Sequence, residues 1–98
     1  MKWLNEIEKC FNEAAGNNFL VSSERSGREI HYWIDPLYED SFLDTLDLFI
    51  NLETRRARIV KEIDLVMYER ENLTLKTAYN QLYRFIANAD TVDEDIYS

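Results

Sequence analysis

The chain has 98 residues, 46% hydrophobic and 13% aromatic, with 19 acidic against 11 basic residues and a net charge of −8. This length suits one domain with a modest core, and so apolar a composition excludes intrinsic disorder. Cys10 is the only cysteine, which excludes an internal disulfide and a cysteine-based zinc site, while the acidity opposes direct binding to nucleic acid or an anionic membrane.

The opening Met1-Lys2-Trp3-Leu4-Asn5-Glu6 has no apolar run resembling a signal peptide, and no later apolar stretch is long enough to span a bilayer. A reduced cytoplasmic setting is the expectation. Residues 2–15 predict an amphipathic helix: Trp3, Ile7, Cys10, Phe11 and Ala14 recur at three- and four-residue steps, with Lys2, Glu6, Lys9 and Glu13 on the wet side. Gly16 then ends the helix at a position that suits a left-handed residue.

Residues 19–34 predict a β-hairpin around Arg25-Ser26-Gly27-Arg28. Ile30, Tyr32 and Ile34 alternate with His31 and Trp33, the period of a strand with one buried face. A two-residue Ser26-Gly27 loop places Val21 opposite Tyr32 and Phe19 opposite Ile34, giving one apolar face. A slip of one residue would instead put Phe19 beside Trp33. In the favoured register Leu20 and Trp33 point away from that face.

Both glycines and the only proline lie between Gly16 and Pro36, so long helices are expected beyond Pro36. Asp40 or Ser41 can cap the first. Phe42, Leu46, Phe49 and Ile50 form one stripe; Ile59, Ile63, Val66 and Met67 form another. The polar run Glu53–Arg58 separates them, so residues 40–71 read as one bent helix or two joined near residue 54. A heptad through Phe49, Leu52, Arg56, Ile59, Ile63 and Val66 carries Arg56 at an apolar position, which weakens it. Thr74 can cap a final helix over 75–89 with Leu75, Ala78, Leu82, Phe85 and Ile86 buried. The acidic end, residues 90–98, reads as frayed. The expected architecture is therefore a single α+β domain over 1–98. It has an N-terminal helix, a two-stranded antiparallel hairpin and two or three long C-terminal helices packed on it.

The sequence carries no catalytic signature, cofactor motif or metal-ligand set. His31 is the lone histidine and lacks an evident catalytic partner, so a surface or interface role is favoured. The tail Asp90–Asp95 lacks the glycine and terminal glutamate of a calcium loop. Asp40, Asp44 and Asp47 fall at i, i+4 and i+7, one acidic stripe if the segment is helical. Arg55, Arg56, Arg58 and Lys61 form the one basic cluster, set among acidic neighbours. With two Trp, six Tyr and five Phe, the aromatics exceed what the core requires, and Tyr and Trp favour interfaces.

These observations point to a small acidic non-enzymatic interaction protein, of the inhibitor, immunity, antitoxin-like or adaptor kind, that binds a basic protein surface. Asp40, Asp44, Asp47, Trp33, His31 and Leu20 are the candidate contact residues. One alternative is a DNA-binding regulator with a helix-turn-helix over about 56–88, reading bases through Lys76, Thr77, Asn80, Gln81 and Arg84. Another is a helical self-assembling component, and a homodimer fits either alternative.

Overall fold

The computed structural model describes residues 2–15, 19–36, 44–63 and 65–97. Helix α1 (Lys2–Ala15) is followed by five strands, β1 (Phe19–Ser26), β2 (Glu29–Pro36), β3 (Thr45–Asn51), β4 (Arg56–Ile63) and β5 (Val66–Thr74), and by helix α2 (Leu75–Tyr97). The strands form one antiparallel sheet in the order β1-β2-β3-β4-β5. The long helices expected over 40–71 are not found among the described residues: Thr45–Asn51, Arg56–Ile63 and Val66–Thr74 are strands, so the two-stranded hairpin is part of a five-stranded sheet.

The reason lies in the apolar period. Leu46, Leu48 and Ile50 are buried on one side of β3, while Asp47 and Phe49 lie on the other, half-buried. Ala57 and Ile59 repeat the alternation in β4. Phe49 fills an outward position with a large apolar ring, which disguises the two-residue period as a helical stripe. The turns need no glycine because other residues enter the left-handed region, Arg55 (φ 57) and Leu65 (φ 69); Asn72 (φ 56) does so at an irregularity within β5. In the β3–β4 turn, Asn51 Oδ1 accepts from the Glu53 amide at 2.9 Å and the Thr54 amide at 3.0 Å. The Arg55 amide donates to the Asn51 carbonyl at 2.8 Å. This is an asparagine-led turn, not a join between helices.

The first hairpin forms with its apolar face as expected but in another register. Its two-residue loop is Gly27-Arg28 and not Ser26-Gly27, which places Val21 opposite Ile34 and Phe19 opposite Pro36. Gly27, with φ 61, takes the left-handed first position of the loop. The shift is by two residues, so every side chain keeps its face.

Both helices cover that face. Ile7, Phe11 and Ala14 of α1 and Leu75, Ala78, Leu82 and Phe85 of α2 join Phe19, Tyr32, Ile34, Leu46, Leu48, Ile50, Ala57 and Ile59 in one buried cluster. Phe11 stacks on Tyr32 at 4.6 Å, and Phe19 meets Phe85 at 6.2 Å. Thr74 caps α2 as expected, accepting from the Thr77 amide at 3.2 Å. The helix continues to Tyr97, past the expected end at residue 89. Among the described residues no helix is long and apolar enough to cross a membrane.

Because 56–63 and 66–74 are strands, the helix-turn-helix expected over about 56–88 does not form. The heptad-like stripe through residues 49–66 disappears for the same reason. The Asp40, Asp44 and Asp47 stripe also loses its helix. Asp40 lies outside the described residues, Asp44 precedes β3, and Asp47 sits within it.

Candidate functional site: the open face of the sheet

The pleat that turns Tyr32, Leu48 and Ile59 toward the helices turns their chain neighbours the other way. Strand pairing then sets Glu24, His31, Phe49 and Arg58 in one row, and Ser22, Trp33, Asp47, Val60 and Glu69 in the next. Among the described residues, Trp33, Phe49 and Val60 pack neither against the buried core nor under a helix. They are nevertheless half-buried.

Their contacts form a continuous ladder across the strands. Trp33 and His31 lie 4.7 Å apart, and His31 stacks on Phe49 at 4.1 Å with ring planes 11° apart. The Arg58 guanidinium sits 4.2 Å over the Phe49 ring, and its Nη1 donates to Glu69 Oε1 at 3.1 Å. His31 Nε2 lies 2.8 Å from Asp47 Oδ1. A carboxylate only accepts, so Nε2 carries the proton and donates, which fixes the ring's orientation in the stack. The aromatic strip is thus locked by three strands and presented at little cost in side-chain entropy.

Charge surrounds the strip unevenly. The carboxylates of Glu24, Glu29, Asp35, Asp47, Glu62 and Glu69 project on this face, against the guanidiniums of Arg56 and Arg58. Leu20, 54% exposed, stands at its β1 margin. Of the sequence-derived candidates, the structure brings Trp33, His31, Asp47 and Leu20 onto one face. It leaves Asp44 at the entrance to β3, and Asp40 is not described. Phe49, Val60 and Arg58 were missed. Their signal was the outward half of an alternation that a helical reading of residues 40–71 concealed.

The basic cluster is dispersed: Arg55 lies in the turn, Arg58 on the open face and Lys61 on the helix side. Burial and then the Arg70 charge lower the Lys61 pKa, and its Nζ donates to Gln81 Oε1 at 3.2 Å. Gln81, one of the residues assigned to DNA contact, therefore ties α2 to the sheet.

A second concavity, a groove of about 290 Å³, runs between the helices past Glu6, Cys10, Glu13, Tyr79 and Tyr83. Tyr79 is held there by Trp3 at 5.6 Å, and partial burial raises its pKa, with Cys10 and Glu6 adding to the effect. His31 and Asp47 line neither this groove nor the smaller hollow beside Lys61, and the pair is part-buried on the open face. Among the described residues no group of three or more His, Cys, Asp or Glu is placed to hold a metal ion. Comparison with protein-family models, with curated proteins and with solved structures found no match to this chain.

Proposed function

We propose that this chain is a non-enzymatic cytoplasmic interaction protein, of the inhibitor, immunity or adaptor kind, that holds a basic protein surface against the open face of its sheet. The observation that carries the reading is the preformed Trp33–His31–Phe49 strip within a margin where carboxylates outnumber guanidiniums. Aromatic side chains at the centre of a patch supply the anchoring contacts, and the charged margin supplies orientation and encounter. A partner whose groove normally receives phosphates would meet carboxylates in comparable positions, so occlusion of such a groove is the form of inhibition this face suits. The net charge of −8 favours the same class of partner and opposes a second copy docking face to face.

The test is quantitative capture of partners by the tagged full chain from its native host, with two substituted chains as controls. Trp33→Ala should reduce recovery of a basic partner at least about tenfold, as loss of an anchoring aromatic does. Tyr83→Ala, on the exposed side of α2, should leave recovery unchanged. Recovery unaffected by Trp33→Ala, or lost with Tyr83→Ala, would contradict this assignment.

A further inference from the structure

The sheet has two edges, β1 and β5, and they differ. The β1 edge is polar, with Ser22 to Ser26 all exposed, and α1 packs beside the strand. In β5 the second half carries the devices that keep an edge from pairing. These are the alternating charges Glu69, Arg70 and Glu71, and an irregularity opposite Ala57–Ile59, where Asn72 adopts φ 56. The first half has none. There Val66, Met67 and Tyr68 are 49%, 62% and 50% exposed, and with the preceding turn residue Leu65, 80% exposed, they are four consecutive residues among the six large hydrophobics exposed in the described chain. Leu65 is also held at φ 69. The turn between β4 and β5 accounts for that conformation, but among the described residues nothing shelters the leucine side chain.

We propose that this edge is closed by the β5 of a second copy, pairing antiparallel about a two-fold axis through Met67. Every second residue of an edge strand turns its N–H and C=O outward, so the surface matches another strand's backbone. Residues 65–68 hold an apolar run, so a basic partner gains nothing from it. The complement is an uncharged apolar edge, and the same run supplies one. With the axis normal to the sheet, Met67 faces Met67, and Val66 of each copy lies opposite Tyr68 of the other, a β-branched and aromatic pair. Glu69 then lies at the end of the paired segment, its carboxylate already bonded to Arg58 at 3.1 Å. Arg70 and Glu71 fall beyond the apolar overlap. The product is a ten-stranded sheet with both open faces on the same side, which doubles the Trp33–Phe49 strip without covering it.

Two chains of charge −8 repel one another, so this dimer should tighten as salt rises. Binding of a basic partner to the open face should weaken, and this opposite sign separates the two surfaces. Sedimentation equilibrium of the full chain between about 0.01 M and 1 M salt, where the Debye length falls from ~30 Å to ~3 Å, should show a monomer–dimer equilibrium shifting toward dimer. Met67→Lys sets two ammonium groups face to face and should raise the dissociation constant at least about tenfold. Trp33→Ala should not change it. In a Cys10→Ser background, Met67→Cys should oxidise to a linked dimer and Glu71→Cys should not. Met67 is exposed, so circular dichroism of each variant should match the parent. A monomeric mass at every concentration and salt would overturn the proposal. So would a dimer indifferent to Met67→Lys, or equal cross-linking through residues 67 and 71.

Discussion

Cys10 sits half-buried beside the groove between the helices, and burial together with the Glu13 carboxylate pushes its thiol up to about 11. Folding therefore favours the neutral thiol. The associated stability is complete below the ordinary value of 9.0 and is lost as pH rises from there toward 11. Because only the thiolate reacts, native labelling should be slow near neutral pH and accelerate about tenfold per pH unit well beyond pH 9, whereas the urea-unfolded chain should level off near 9. A native rate that levels off near pH 9 would place the thiol in open solvent and displace α1 from α2. The apolar spacing of α1 was sufficient to find this position, since Ile7, Phe11 and Ala14 are the residues it buries. His31 is different. Its partner Asp47 is sixteen residues away, and only the β2–β3 pairing brings the two together.

At the level of the elements, the β3–β4 turn offers the sharpest contrast between a helical and a strand reading of the same residues. Arg55 occupies φ 57, a conformation that costs a side-chain-bearing residue roughly 1–2 kcal/mol and glycine almost nothing. Arg55→Gly should therefore be neutral or stabilising by up to about 1 kcal/mol, and Arg55→Val should destabilise, both measured by urea unfolding. Inside a helix the glycine substitution would instead cost about 1 kcal/mol, so the sign alone separates the two structures. Elements governed by local signals were legible: α1 from its stripe, the first hairpin from its alternation and Gly27, and the start of α2 from Thr74. Strands β3, β4 and β5 were not. The turns between them rest on Asn51, Arg55 and Leu65 and not on glycine or proline, and Phe49 breaks the alternation on the outward face. The β5 sequence VMYERENLT is exposed at every position except Leu73, so it has no buried face for a pattern to report.

Considered whole, the molecule is a sheet with a helical side and an open side, and the proposed function rests on the asymmetry between them. The helices bury the regular half of each alternation, while the irregular half gathers the aromatic ladder and the carboxylates. The proposed interaction with a basic partner has this open face as its candidate surface, while Asp44, one of the expected acidic contacts, only precedes β3. The reading of residues 40–71 as helix could not reveal the face, because a helical period mixes its residues with those of the core.

The most direct test of the account is the salt dependence of association between this chain and the basic partner recovered in the capture experiment, measured by stopped flow. Complementary charges act mainly on encounter, and their influence is screened beyond a Debye length of about 8 Å at physiological ionic strength. Replacing Glu24, Asp47 and Glu62 by Gln, Asn and Gln should slow association and flatten its salt dependence while leaving dissociation nearly unchanged. Trp33→Ala should speed dissociation and leave the salt dependence intact. If the triple variant associates at the parent rate with the parent salt slope, the open face is only a solvated side of the sheet and the central claim fails.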